Sequence, residues 1–282
     1  MRDIRKVAVL GSGVMGATIA AHLANCGIPS IMLDIVPPNL SEEERKDPKK
    51  RNGFAEKGKA GLLKSKPAAL YSKSLIDMIE IGNFEDHMHR IAECDWIIEV
   101  VLEKLEVKKD VFAKVAEHYR PGAIVSTNTS GIPVGKIAEG MPDAMRRNFL
   151  GTHFFNPPRY LKLLELIPLP ETDPEVVKFM AEFGENVLGK GIVFAKDTPN
   201  FVANRVGIAG LLGTMKEAER LGLTFDQVDS LTGKELGRAS SGTFRTADIV
   251  GLDTLAHVIK TLQDNLSEAS DSFYGSFGTP AA

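Results

Sequence analysis

The stretch Lys6-Val7-Ala8-Val9-Leu10-Gly11-Ser12-Gly13-Val14-Met15-Gly16 decides the fold, read with Ser30-Ile31-Met32-Leu33-Asp34 downstream. Residues 6–10 form an apolar run of strand type, the glycines mark a tight turn, and residues 17–25, with Ile19 and Leu23 in helical spacing, continue as a helix. A second apolar run ends in Asp34, 23 residues after the first glycine. A lone G-x-G-x-x-G is a weak signal, but strand, glycine turn, helix, strand and acid in this order form the dinucleotide-binding fingerprint. In that reading Gly11 permits the turn, Gly13 lets the backbone approach a pyrophosphate, and Gly16 lets helix pack on strand, with Ser12, Val14 and Met15 completing the loop. The helix N-terminus faces the phosphates. Asp34 accepts from the adenosine ribose hydroxyls and repels a 2′-phosphate, so NAD is expected rather than NADP. The plainer alternative, a strand-to-helix turn without a ligand, is disfavoured by this context.

The alternation continues along the chain. Residues 95–101, 123–127 and 148–155 read as strands and 105–119 as a helix, the rhythm of a Rossmann-type, doubly wound parallel sheet. Two further strands, at 161–168 and 191–196, flank an amphipathic helix at 174–188. At Asp197-Thr198-Pro199 the pattern changes. Residues 206–221, 224–236 and 247–266 have helical spacing, with Thr224 and Asp226 near one start and Gly222 after one end. The expected organisation is α/β: a dinucleotide-binding domain over 1–197, carrying a basic helical insertion at about 37–90, then a smaller all-α domain over 198–282.

Composition bounds the class. At 282 residues, 43% hydrophobic and net charge −3, the chain can bury a sizeable core in one large domain or two modest ones. No run approaches the roughly 18 apolar residues of a membrane span, and Met1-Arg2-Asp3-Ile4-Arg5 leads straight into the first strand, with no room for a signal peptide. Cys26 and Cys94 suit a reducing compartment, so a cytoplasmic location is expected. His87-Met88-His89 is too isolated for a metal site, and no metal is expected. Residues 45–73 are strongly basic (Arg45, Lys46, Lys49, Lys50, Arg51, Lys57, Lys59, Lys64, Lys66, Lys73), against Asp47 and Glu56. This is a local anion-attracting field. Lys57 and Lys64 share a face if 53–64 is helical, and a phosphate-binding patch and a solvated helix face are both open readings. Nucleic acid is not expected, because net charge is negative and aromatics in the stretch are sparse.

Chemistry gathers further along. Ser126-Thr127-Asn128-Thr129-Ser130 precedes His153-Phe154-Phe155-Asn156-Pro157-Pro158, and Glu165 sits inside the strand-like run Lys162-Leu163-Leu164-Glu165-Leu166-Ile167. If the last two segments lie side by side, the carboxylate reaches the imidazole. A histidine held by a carboxylate, with a hydroxyl nearby, is a proton-transfer unit. Beside a dinucleotide loop, it suggests that a proton and a hydride leave one substrate. A serine-hydrolase reading of Ser130, His153 and Glu165 lacks the G-x-S-x-G elbow and leaves the glycine turn idle. A non-catalytic NAD-binding or structural protein on the same fold is a separate alternative. The His/Glu pair weighs against it.

Together with Asp197-Thr198-Pro199 and Phe201-Val202-Ala203-Asn204-Arg205, these motifs resemble the L-3-hydroxyacyl-CoA dehydrogenase family over nearly the whole chain. The resemblance implies NAD as cofactor, a 3-hydroxyacyl-CoA or 3-oxoacyl-CoA substrate in fatty-acid β-oxidation, and a homodimer. It puts Ser130, His153, Glu165 and Asn204 at catalytic positions. Asp34, Glu103, Lys108, Asn128, Ser130 and Asn156 fall at NAD-binding positions, and Lys57 and Lys64 roughly where the family meets coenzyme A. A 3-hydroxybutyryl-CoA dehydrogenase working reductively is an alternative within the family. Arg238-Ala239-Ser240-Ser241-Gly242-Thr243-Phe244 replaces a Pro/Gly-rich turn, and with the basic insertion and Gly82-Asn83-Phe84-Glu85-Asp86 it looks more like the large multifunctional proteins that join a dehydrogenase to an enoyl-CoA hydratase. The chain stops at Phe277-Gly278-Thr279-Pro280-Ala281-Ala282, short of the family's closing segment, so the helical domain is expected to be truncated.

Overall fold

A computed structural model describes residues 3–267 and 274–278; residues 279–282, part of the tail on which the expected truncation rests, lie outside the described residues. β1 (Val7–Leu10), β2 (Ser30–Asp34), β3 (Ile79–Asn83), β4 (Trp96–Glu99), β5 (Ile124–Thr127), β6 (Phe149–Phe154), β7 (Leu163–Pro168) and β8 (Gly191–Phe194) form one sheet in the order β3-β2-β1-β4-β5-β6-β7-β8. The first six are parallel and follow the doubly wound order. Every residue of β1, β4, β5 and β6 is buried, as strands covered on both faces require. Trp96 anchors the layer edge-on to Phe183, and its indole N–H donates to Ser126 Oγ at 2.9 Å.

β7 runs antiparallel to β6, and β8 runs parallel to β7. The connection explains the reversal. Residues 155–162 are too few for a parallel crossover, which takes a dozen or more, but enough to turn back beside β6.

The stretch expected to be a helical insertion contains β3, the edge strand that completes the doubly wound order. Its longest helix spans Gly53–Leu62 and ends before Lys64, which lies in the following turn with its N–H on Gly61 O. The Ser65 hydroxyl closes that turn by donating to Leu62 O and accepting from Ala69 N.

The chain divides into two compact units, 1–197 and 198–282. In the second, helices Ala203–Leu221, Phe225–Thr232, Phe244–Val250 and Leu252–Asn265 contribute a core that includes Ile208, Leu212, Leu255, Ile259 and Leu262. Thr224 opens the second helix with a capping box to Gln227. The single helix expected at 247–266 is broken at Gly251, whose φ of +97° favours glycine.

Candidate functional site

Because β1 to β6 are parallel, their C-terminal ends share one edge of the sheet, where open α/β sheets bind ligands. The glycine loop occupies that edge after β1. A Cβ on Gly11 would stand 2.5 Å from Val100 O, and one on Gly16 would run into the Gly11 carbonyl, so loop, strand and helix meet without side chains. At Gly13 a Cβ would touch nothing within 4 Å. The helix Val14–Asn25 has no side-chain cap and no acid in its first turn. Its leading N–H groups therefore fit a pyrophosphate.

Asp34, at the end of β2, is tied to this loop. Its Oδ2 accepts from Ser12 N at 2.6 Å and Ser12 Oγ at 2.5 Å, while Oδ1 accepts from Ile35 N at 2.7 Å. A carboxylate offers about four acceptor positions, so ribose contact is compatible with these bonds. Met15 is half-buried, whereas Val14 is 70% exposed.

Beyond β4 a buried charge network shapes the loop that holds Ser130. Lys108 Nζ lies 2.8 Å from Glu99 Oε1 and 3.1 Å from Glu103 Oε2. Glu103 Oε1 accepts from Thr129 Oγ1 at 2.5 Å, Ser130 N at 2.8 Å and Gly131 N at 3.1 Å. Burial pushes the Glu103 carboxyl up, but the Lys108 ammonium and these donors outweigh it and hold it below its ordinary value. Lys108 is 1% exposed, so its ammonium faces Glu99 and Glu103 inside the protein. Asn128 Oδ1 accepts from Phe154 N at 2.9 Å, tying the end of β5 to β6 beside His153.

The antiparallel register sets His153 of β6 directly opposite Glu165 of β7. His153 Nδ1 and Glu165 Oε2 are 2.7 Å apart, both side chains are buried, and the Phe155 ring lies 4.4 Å from the imidazole, centroid to centroid. A carboxylate only accepts, so the pairing puts the proton on Nδ1 and the lone pair on Nε2. Asn156, two residues past the strand, is exposed.

Three sequence candidates remain, Lys57, Lys64 and Asn204. Lys57 and Lys64 are exposed and have no ion pair among the described residues. The neighbours of these lysines are partly occupied: Arg51 pairs with Glu85 and Asp86, and Lys59 Nζ donates to Ile79 O at 2.6 Å. The lysine-bearing helix backs onto the glycine loop, since a Cβ on Gly58 would overlap Ser12 O. Asn204 lies in the first turn of Ala203–Leu221, in the second unit. Gly58 and Glu99 carry no sequence motif, and only the fold brings them against the glycine loop and Lys108. Among the described residues no cluster of His, Cys, Asp or Glu is placed to hold a metal ion, and no helix is long and apolar enough to cross a membrane.

Residues 6–198 match the family model described as 3-hydroxyacyl-CoA dehydrogenase, NAD binding domain, and residues 201–274 match that of its C-terminal domain. The chain belongs to the 3-hydroxyacyl-CoA dehydrogenase family. Its first unit is thus the family's NAD-binding domain, with the glycine loop and the His153/Glu165 pair inside it. A "Probable 3-hydroxyacyl-CoA dehydrogenase" of Bacillus subtilis is 56% identical over 269 residues, 93% of this chain and 34% of that protein. One of the same name from Deinococcus radiodurans is 50% identical over 255 residues, 90% of this chain and 71% of its own. The chain therefore spans about a third of the Bacillus protein's length. Among solved structures, FadB2 of M. tuberculosis superposes with a TM-score of 0.77 at 28% identity, covering 99% of this chain and 91% of that one.

Proposed function

We propose that the chain catalyses NAD-dependent oxidation of (S)-3-hydroxyacyl-CoA to 3-oxoacyl-CoA in fatty-acid β-oxidation. The observation that carries this reading is the buried His153/Glu165 pair in the family's NAD-binding domain. NAD, when bound, supplies the acceptor for the hydride that leaves C3. His153 Nε2 takes the hydroxyl proton as that hydride departs, and Glu165 fixes the tautomer and stabilises the imidazolium. Ser130 hydrogen-bonds a substrate oxygen and helps align C3, and Asn204 matches a catalytic position of the family. In reverse, protonated His153 donates to the ketone oxygen.

The NAD site in this reading comprises Gly11 to Gly16, Asp34, Glu103, Asn128, Ser130 and Asn156. Lys108, buried against Glu99 and Glu103, acts by fixing Glu103. Lys57 and Lys64 meet the phosphates of coenzyme A. Exposed apolar side chains on the second unit, among them Leu221, Phe225, Leu231 and Leu236, support self-association as a homodimer. The Bacillus relative, of which this chain covers 34%, supports a place within a longer chain. Two free thiols, Cys26 and Cys94, suit the cytoplasm.

The test is turnover of acetoacetyl-CoA with NADH, followed by absorbance at 340 nm. Steady oxidation of NADH supports the dehydrogenase. NADH binding without turnover would favour the non-catalytic binder on the same fold.

A further inference from the structure

The loop between β6 and β7, residues 155–162, follows His153 directly and carries Asn156. Two cations outside the proposed machinery fasten it. Lys190, 6% exposed, donates from Nζ to Pro158 O and, at 2.9 Å, to Leu161 O, and its ammonium lies 5.6 Å from the centre of the Phe154 ring. Among the described residues it has no carboxylate partner. Arg159 reaches the other way along the chain. Its Nη1 donates to Ala68 O at 2.7 Å and Leu70 O at 2.9 Å, and its guanidinium lies 4.1 Å from the Tyr71 ring centre and 5.1 Å from that of Tyr160. The Tyr160 hydroxyl adds a bond to Ala68 O at 3.0 Å.

The segment that Arg159 grips is itself held. Asn25, at the end of the first helix, donates from Nδ2 to Ala69 O at 2.8 Å and accepts from Tyr71 N at 2.8 Å. This segment follows the helix Gly53–Leu62 and the turn with Lys64. A chain of direct bonds therefore links the lysine-bearing insertion to the loop behind His153. Arginine suits the task because its planar fork makes two charge-assisted bonds and stacks on aromatic faces at once.

We propose that Arg159 is a positioning residue that couples the coenzyme A end of the substrate to the alignment of its reacting end. The proposal rests on the dehydrogenase reading above. Binding energy from a remote part of a substrate raises kcat only if it is transmitted to the reacting centre, and truncated substrates then lose kcat. With Lys57 and Lys64 on one side of the Arg159 bonds and Asn156 on the other, the loop supplies that transmission.

The test compares kcat for acetoacetyl-CoA and for acetoacetyl-N-acetylcysteamine, which lacks the nucleotide, in the wild type and in Arg159→Gln. Active-site concentration is normalised by NADH titration. The wild type should turn over the CoA ester faster, and Arg159→Gln should bring that rate about tenfold closer to the short ester's, a loss equivalent to about one charge-assisted hydrogen bond. Tyr160→Phe, which removes only the hydroxyl bond, should narrow the ratio in the same direction and serves if Arg159→Gln does not bind NADH. A merely structural Arg159 would slow both esters equally and leave the ratio at its wild-type value, which overturns the proposal. Equal kcat for both esters in the wild type also overturns it. Absence of turnover with either ester, by contrast, would sink the dehydrogenase reading itself.

Discussion

Glu99 and Lys108 form an ion pair at 2.8 Å with both side chains buried, 0% and 1% exposed, at the point where β4 gives way to the site. Thr127 Oγ1 and Val101 N complete the Glu99 carboxylate at 2.6 and 2.7 Å, and Lys108 bridges onward to Glu103 and the Ser130 turn. Through the Thr127 bond Glu99 ties the ends of β4 and β5 together, and Lys108 joins them by way of Glu103 to the loop that carries Ser130.

Removing one partner should expose its value. Lys108→Met leaves Glu99 buried without a counter-charge, which costs about 3–5 kcal/mol of stability. Urea unfolding measures it, and the double variant Glu99→Gln with Lys108→Met should recover part of the loss. A loss below about 1 kcal/mol, the scale of a surface pair, would show that the network does not hold this edge together.

Asp34 has two tasks, and substitution should separate them. Its charge should make the protein prefer NAD over NADP, and Asp34→Ser should narrow the gap while also weakening NAD binding, because the Ser12 bonds of the glycine loop go with the carboxylate. Titration with both reduced cofactors checks this. Equal affinity of the wild type for the two would contradict it.

Lys57→Ala with Lys64→Ala should raise the KM for acetoacetyl-CoA and lower its kcat toward that of the short thioester, because the phosphate contacts that Arg159 couples to the reacting end are gone. Both side chains are exposed, so the penalty should shrink at high ionic strength. The N-acetylcysteamine thioester should be nearly indifferent. Equal loss on both esters would mean that the lysines support the fold or the glycine loop against which the helix of Lys57 rests.

His22 sets an acid limit on stability. It lies in the helix Val14–Asn25, 8% exposed, with Nε2 on Leu188 O at 3.1 Å. Burial, then the charge of Lys190, lower its pKa to about 4, against the smaller opposing effect of the Leu188 carbonyl. Between pH 6.5 and about 4 the unfolded chain binds a proton that the folded chain does not, so this contribution is present above 6.5 and falls away as the pH drops through that window. The full effect is up to about 3 kcal/mol. Urea midpoints at pH 7 and pH 5 should differ less in His22→Gln than in the wild type. Identical differences would exclude His22 as the cause.

How much was legible in the sequence follows from the range of each interaction. The glycine loop and Asp34 lie within one strand-helix-strand unit, so spacing alone brings them to one edge. Glu165 could be matched to His153 because both fall in strand-like runs, and the short loop between them forces the antiparallel pairing that sets them face to face. β3 was hidden because Ile79-Glu80-Ile81-Gly82-Asn83 is short and stands among helical turns; it becomes a strand by pairing with β2, which no local pattern announces. The burial of Lys108 and Lys190 has no local signature, since only the folded neighbours enclose their ammonium groups. The break at Gly251 lay inside an otherwise continuous helical spacing.

Whether His153 moves the proton is decided by His153→Gln. Glutamine keeps a polar side chain opposite Glu165 but cannot take up a proton, so kcat for acetoacetyl-CoA reduction should fall roughly 10²- to 10⁴-fold. NADH binding, followed by its fluorescence, should remain nearly unchanged, because the glycine loop and Asp34 are untouched. A variant that binds NADH and keeps half the wild-type turnover would contradict the assignment.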